Sequence, residues 1–259
     1  VVLNSLSGSL IIFAALVVGI RHGIDWDHIA AITDITSTQN SVKKGVLYSF
    51  LYGVGHASVV SSIALGVLFL GLGLPEGIES MMEIVVGITL ILLGVYVFYS
   101  LHKHKGEHFR LLPRWALFAN GLLNTWSLIK AKITGGPRKY YQILKDGYGN
   151  TASFVIGMIH GIGAETPSQM LLFAMAATAG LAGGKDLAGI LIMVYSVGLI
   201  TTNTIMGVLG SFGYVKSSNR MKLYRSVALV TGIFSLIIGL AFITGGVSYL
   251  PDIESLIGG

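Results

Sequence analysis

Apolar runs long enough to cross a bilayer recur along the whole chain, at 5–31, 45–72, 82–101, 151–181, 187–212 and 226–247. A membrane-spanning α-helix needs about 20 such residues. Spanning backbone must satisfy its own hydrogen bonds, and runs of this length read as helices rather than as ten-residue barrel strands. The alternative, a water-soluble domain, fails on charge. Only 11% of the 259 residues are charged and mean hydropathy is +0.76, whereas soluble domains carry about 25% charge. The net charge of +5 is spread between apolar runs, so it forms no phosphate-binding stripe and implies no nucleic-acid partner. The absence of cysteine excludes disulfides, thiolate metal sites, iron–sulfur clusters and cysteine nucleophiles. The chain reads as an all-α polytopic membrane protein with the lipid bilayer as its solvent.

The first run lacks a basic leader and a small-residue cleavage site, so it reads as a span rather than a signal peptide. The chain opens on valine rather than methionine, which leaves room for trimmed N-terminal sequence. A seventh stretch, 115–129, is short and carries Asn120 and Asn124 between basic flanks. If it does not cross, 15 of the 17 lysines and arginines share one side of the membrane. The exceptions are Lys185, in an opposite loop, and Arg21, inside a span. A crossing at 115–129 would put the loop bearing Lys216, Arg220, Lys222 and Arg225 outside, against the positive-inside bias. The expectation is six spans in a prokaryotic plasma membrane, both termini outside, and a cytoplasmic linker over 102–150 with an interfacial helix.

The two halves echo one another. Gly19-Ile-Arg-His22-Gly23-Ile24 matches Gly157-Met-Ile-His160-Gly161-Ile162, and Tyr52-Gly-Val54-Gly55 matches Tyr195-Ser-Val197-Gly198. Gly87-Ile88 with Gly94 matches Gly232-Ile233 with Gly239. The offsets of 138, 143 and 145 keep the matches in order. Three spans per copy, joined by a non-crossing linker, turn the second copy upside down. The domain reading is therefore one three-helix repeat at 1–101, a linker at 102–150 and an inverted repeat at 151–259. Transporters of this architecture bind substrate near the midplane, where helices of both halves are broken by glycine or proline.

Arg21, His22, Asp25, Asp27 and His28 fall within eight residues of the first span. Each full charge at the bilayer centre costs about 2.5–3.5 kcal/mol on insertion scales, so the cluster requires internal partners or water. A straight helix gathers His22, Asp25 and His28 within an arc of roughly 120°, while a break at Gly23 brings His22, Asp27 and His28 together; both remain open. In the repeat His22 answers His160 and Asp27 answers Glu165. His56 lies at matching depth in the second span. Imidazole and carboxylate without thiolate suit a borderline divalent ion such as nickel, cobalt or zinc, whereas magnesium prefers oxygen alone. Arg21 reads as an ion-pair partner of Asp25, and Asp34 as a solvated or capping residue. Asn203, within Thr201-Thr-Asn203-Thr, is assigned to the pathway or to packing between helices. His102, His104 and His108 read as a solvated surface of the linker.

Arg21-His22-Gly23-Ile24-Asp25-Trp26-Asp27-His28-Ile29 resembles the signature of the nickel/cobalt permease family: a histidine, four residues, then Asp-His within a transmembrane helix. Gly55-His56-Ala57-Ser58-Val59-Val60 is similar to that family's second histidine motif. The family's Asp-Ala-Asp centre is here Asp25-Trp26-Asp27, and its later Phe-Asp-Thr-Ala-Thr-Glu motif survives loosely as Ile162-Gly163-Ala164-Glu165-Thr166. Members commonly have eight spans, so this chain looks closer to a shorter branch that includes nickel permeases associated with urease maturation. The motifs cover about 30 residues.

The resemblance implies a secondary transporter taking up nickel, or cobalt, as cargo and holding no resident cofactor. Its expected ligands or gate residues are His22, Asp27, His28 and His56, completed by His160 and Glu165 from the second half. Asp25 is expected to hold a histidine tautomer from behind. No Gly-Lys-Ser/Thr nucleotide loop and no HExxH is present, so the chain is read as a transporter and not as an enzyme. The alternatives are a proton-coupled exporter of a metal or other small cation and, further off, a membrane-embedded zinc enzyme.

Overall fold

The fold was obtained as a computed structural model that describes residues 2–70, 78–103, 113–143, 147–163, 167–181, 184–218 and 221–245. Among the described residues the regular structure is nine helices: α1 (Val2–His22), α2 (Trp26–Ser37), α3 (Val42–Leu70), α4 (Ile78–Lys103), α5 (Arg114–Thr134), α6 (Asn150–Gly163), α7 (Pro167–Leu181), α8 (Lys185–Ser218) and α9 (Met221–Thr244). Stretches within α3, α4, α8 and α9 are long and apolar enough to cross a membrane, and α1 with α2 makes a fifth crossing if that bent pair is one span. Many leucine, isoleucine and phenylalanine side chains on these helices face outward, Phe13, Leu209 and Ile237 among them. Water would penalise such a surface and lipid does not. The protein is a multi-pass membrane protein.

The run 5–31 is not one straight helix. After His22 the backbone tightens from i→i+4 to i→i+3 bonds, Ile24 N–H to Arg21 O at 2.9 Å and Asp25 N–H to His22 O at 3.2 Å. Asp25 is then extended, with φ −60° and ψ 153°, and α2 restarts as Ile29 N–H reaches Asp25 O. The two helices meet at 56°. Gly23 lies where a Cβ would come within 2.8 Å of Thr202 Cβ and 3.1 Å of Leu199 O, so α8 can approach the break only because that side chain is missing. The second-half run, 151–181, is likewise divided into α6 and α7.

Four close helix pairs organise the bundle: α1 with α8, α3 with α6, α3 with α8, and α4 with α9. All four use glycine. A Cβ at Gly19 would collide with the carbonyl oxygen of Tyr195, and one at Gly157 with that of Tyr52. Gly198 faces Leu16 O and Ile20 N, while Gly55 faces Phe154 O and Met158 N. The α4/α9 pair closes through Gly87 against Gly239 O and Gly94 against Gly232 O. Each contact becomes its partner when the sequence offsets of 138, 143 and 145 are applied. Between these pairs, Val60, Leu172, Tyr195 and Leu199 form one apolar cluster and Ile32, Ile35, Tyr52 and Tyr148 another.

Helix α5 is tied to the bundle chiefly along α4. Its asparagines have a specific use. Asn120 bonds the backbone N–H and C=O of Ile143, and Asn124 does the same for Tyr141. Ser127 Oγ accepts the N–H of Lys139 at 2.8 Å. Helix positions i, i+4 and i+7 thus hold every second residue of an extended strap laid along the helix. His102 is exposed at the end of α4, whereas His104 and His108 lie outside the described residues.

Candidate metal centre

The break between α1 and α2 brings four imidazoles and a carboxylate together. His22 closes α1, Asp27 and His28 lie in the first turn of α2, His56 sits mid-way along α3 and His160 near the end of α6. All five are buried. Ring centroids are 4.7 Å apart for His22 and His28, 4.5 Å for His28 and His56, and 5.3 Å for His28 and His160. Their ligand atoms form two groups, His22/His28/His56 and Asp27/His28/His160, each with all atoms within 4.8 Å of one another. Such a gathering in an apolar bundle is costly unless something polar occupies it.

The hydrogen bonds assign the ring protons. Asp25 Oδ2 lies 3.0 Å from His22 Nδ1; a carboxylate only accepts, so Nδ1 carries the proton and Nε2 keeps its lone pair. By the same reasoning His160 Nε2–H donates to Asp27 Oδ2 at 2.7 Å. His28 Nδ1–H donates to Asn203 Oδ1 at 3.1 Å, leaving His28 Nε2 buried and without a partner among the described residues. His22 Nε2 and His56 Nε2 are 3.0 Å apart; since His22 Nε2 is bare, His56 donates. His56 Nδ1 and His160 Nδ1 are also without partners. Buried polar atoms are nearly always satisfied, and imidazole and carboxylate atoms gathered in these two groups could hold a transition-metal cation.

Several residues support these rings from behind. Asp25, 28% exposed at its side chain, also accepts from Ser168 Oγ, which lies 3.3 Å from both Asp25 Oδ2 and His22 Nδ1. Asp27 Oδ1 accepts the backbone N–H of His28 at 2.9 Å, and a carboxylate in the first turn of α2 faces the positive end of the helix dipole. Tyr195 stacks on His22 at 5.8 Å. Tyr52 meets His28 and His160 edge-on at 5.8 and 5.7 Å. These two tyrosines serve in the sequence only as landmarks of the repeat; that both sit beside histidine rings is a product of packing. Ser168 gives no sequence signal at all.

Among the other expected residues, Asn203 is buried on α8 against His28, while Thr202 and Thr204 turn back onto carbonyls of their own helix. Arg21 is half-buried, and Glu165 lies outside the described residues. Asp34 differs from expectation. It is 1% exposed, because the segment leading into α6 folds back over the end of α2 and Tyr148 donates its hydroxyl to the Asp34 carboxylate.

No family model matches the chain, and neither does any solved structure. Curated relatives do. The chain is 21% identical to urease accessory protein UreH of Bacillus sp. (strain TB-90), over 90% of each chain. It is 25% identical to cobalt transport protein NhlF of Rhodococcus rhodochrous, over 98% of this chain and 74% of the relative. It is 24% identical to nickel transporter NicT of Mycobacterium tuberculosis, over 94% of this chain and 67% of the relative. These similarities run through nearly the whole chain, so it is similar along its length to nickel and cobalt transporters and to a urease accessory protein.

Proposed function

We propose that the chain is a secondary transporter that takes up divalent transition-metal ions across a prokaryotic plasma membrane, nickel first and cobalt second. The observation that carries this reading is the buried bare nitrogen of His28, ringed by His22, His56, His160 and Asp27. The imidazoles replace the water a nickel ion must shed. Asp27 supplies negative charge against the ion's own, and Asp25 and Asn203 hold ring orientation and tautomer from outside. Magnesium gains little from such a centre, since it holds its water tightly and prefers oxygen ligands. The named transporters among the relatives carry nickel or cobalt, which agrees with the donor set.

The architecture we infer has six crossings: α1/α2, α3, α4, α6/α7, α8 and α9. They form two inverted three-helix repeats joined by the cytoplasmic linker 102–150, with both termini outside. The paired glycine contacts support a twofold relation, and the two divided crossings meet near one point, as a midplane site requires. Glu165, the repeat counterpart of Asp27, is proposed as a further ligand or gate residue.

The test is nickel accumulation in proteoliposomes, with His28→Ala beside the native chain and magnesium or cobalt in excess. Saturable uptake that magnesium leaves intact, cobalt lowers and His28→Ala abolishes is the expected result. Uptake unchanged by His28→Ala, or none by the native chain with lipid and ion gradients controlled, would sink the reading.

A further inference from the structure

We infer that the centre offers its cation two alternative positions that share His28, and that the ion passes from one to the other without leaving that imidazole. The inference rests on the metal-permease reading and adds to it a route within the site.

The ligand atoms gather as two groups, and His28 alone belongs to both. Imidazole binds such ions at about 2.0–2.1 Å, so two ligands of one ion lie at most about 4.2 Å apart. His56 and His160 share no such group: His56 gathers with His22 and His28, and His160 with Asp27 and His28. One ion drawing on His28 is thus served either by His22 and His56 or by Asp27 and His160.

Each position is closed from within. His22 Nε2 and His56 Nε2 are bonded to each other at 3.0 Å, and His160 Nε2 is bonded to Asp27 Oδ2 at 2.7 Å. An ion entering either position breaks that position's own bond and leaves the other intact. His28 Nε2 has no bond to break among the described residues. A cation moving across therefore exchanges one pair of partners for another and retains one nitrogen ligand throughout, so it never stands bare in the apolar interior.

The two positions differ chemically and in access. The first is three nitrogens, next to the 28% exposed Asp25 that bonds His22. The second is two nitrogens and the buried carboxylate of Asp27. The first is therefore the position reached from the surface, and the second the one where the ion's charge is partly neutralised.

The experiment is a cobalt(II) titration of the purified chain in detergent, following the visible ligand-field bands, with His56→Ala, His160→Ala and His28→Ala. The glutamine forms H56Q and H160Q, which keep a hydrogen-bonding group in place of the ring, are run beside them to separate ligand loss from misfolding. Native protein is expected to bind one ion. Loss of His56 or of His160 weakens binding by no more than about tenfold, and each loss gives a spectrum of its own. Loss of His28 weakens binding by about 100-fold or more. If the His56 and His160 variants lose cobalt as completely as the His28 variant, the centre is one composite site and the two-position inference is overturned. If the native chain binds no cobalt, the permease reading itself falls.

Discussion

Asn203 decides which nitrogen of His28 faces the centre. Its Oδ1 accepts the Nδ1 proton at 3.1 Å across 175 positions of sequence, and the opposite nitrogen is left bare. Groups that fix the tautomer of a metal-binding histidine are typically worth about 10–100-fold in affinity. Asn203→Leu, close in size and unable to accept, should weaken cobalt binding by about that factor, while Asn203→Asp, which still accepts, should recover most of it. A cobalt titration of both variants checks this; equal losses would mean that Asn203 serves packing alone. The His22/Asp27/His28 cluster was legible in the sequence because charge in an apolar run is expensive and therefore conspicuous. The Asn203–His28 bond was not, since polar residues of a helix announce no partner. Asp34 shows the same limit from the other side. Its place near a helix end suggested solvent, and only the fold-back of Tyr148, 114 positions away, removes it from water.

Helix pairs in this bundle meet through missing side chains, as expected where lipid removes the hydrophobic drive between helices. Gly157 and Gly19 are repeat equivalents pressed against backbone carbonyls, which cannot move aside as a side chain would. Gly121 on α5 has nothing within 4 Å of where its Cβ would stand. Gly157→Ala and Gly19→Ala should each destabilise the protein by about 1–3 kcal/mol. Gly121→Ala should leave it unchanged or stabilise it by up to about 1 kcal/mol, through helix propensity. Thermal unfolding midpoints in detergent compare the three; equal shifts would refute the close-packing account. The glycines were visible in the sequence as repeat marks, but not which carbonyls they admit. The α1/α2 bend was open as an alternative because Gly23 suggested it. The strap on α5 was hidden: Asn120 and Asn124 argued against a crossing, and nothing in the intervening loop said that they would hold the backbone of Tyr141 and Ile143.

At the scale of the whole molecule, the order of apolar runs was enough to read a polytopic helical protein, because a bilayer permits few other structures for such a chain. The repeat matches were enough to suggest two related halves. The contacts that exchange under those offsets, Gly19 with Tyr195 and Gly157 with Tyr52, arise from packing that no run of hydropathy describes. Orientation depends on charge alone, and it turns on whether α5 crosses. Lys44, Lys132 and Lys185 are all exposed, and the chain has no cysteine of its own, so each can be replaced singly by cysteine in an otherwise unreactive protein. With α5 lying along the cytoplasmic face, α3 and α4 leave and re-enter, which puts Lys44 and Lys132 on one side. The α6/α7 crossing then carries Lys185 to the other. A membrane-impermeant maleimide added to intact cells should label Lys185→Cys, and should reach Lys44→Cys and Lys132→Cys only after permeabilisation. Labelling of Lys132→Cys from outside, with Lys44→Cys and Lys185→Cys protected, would make α5 a seventh crossing. The two halves would then run parallel, because the inversion requires an odd number of crossings per copy and a linker that adds none.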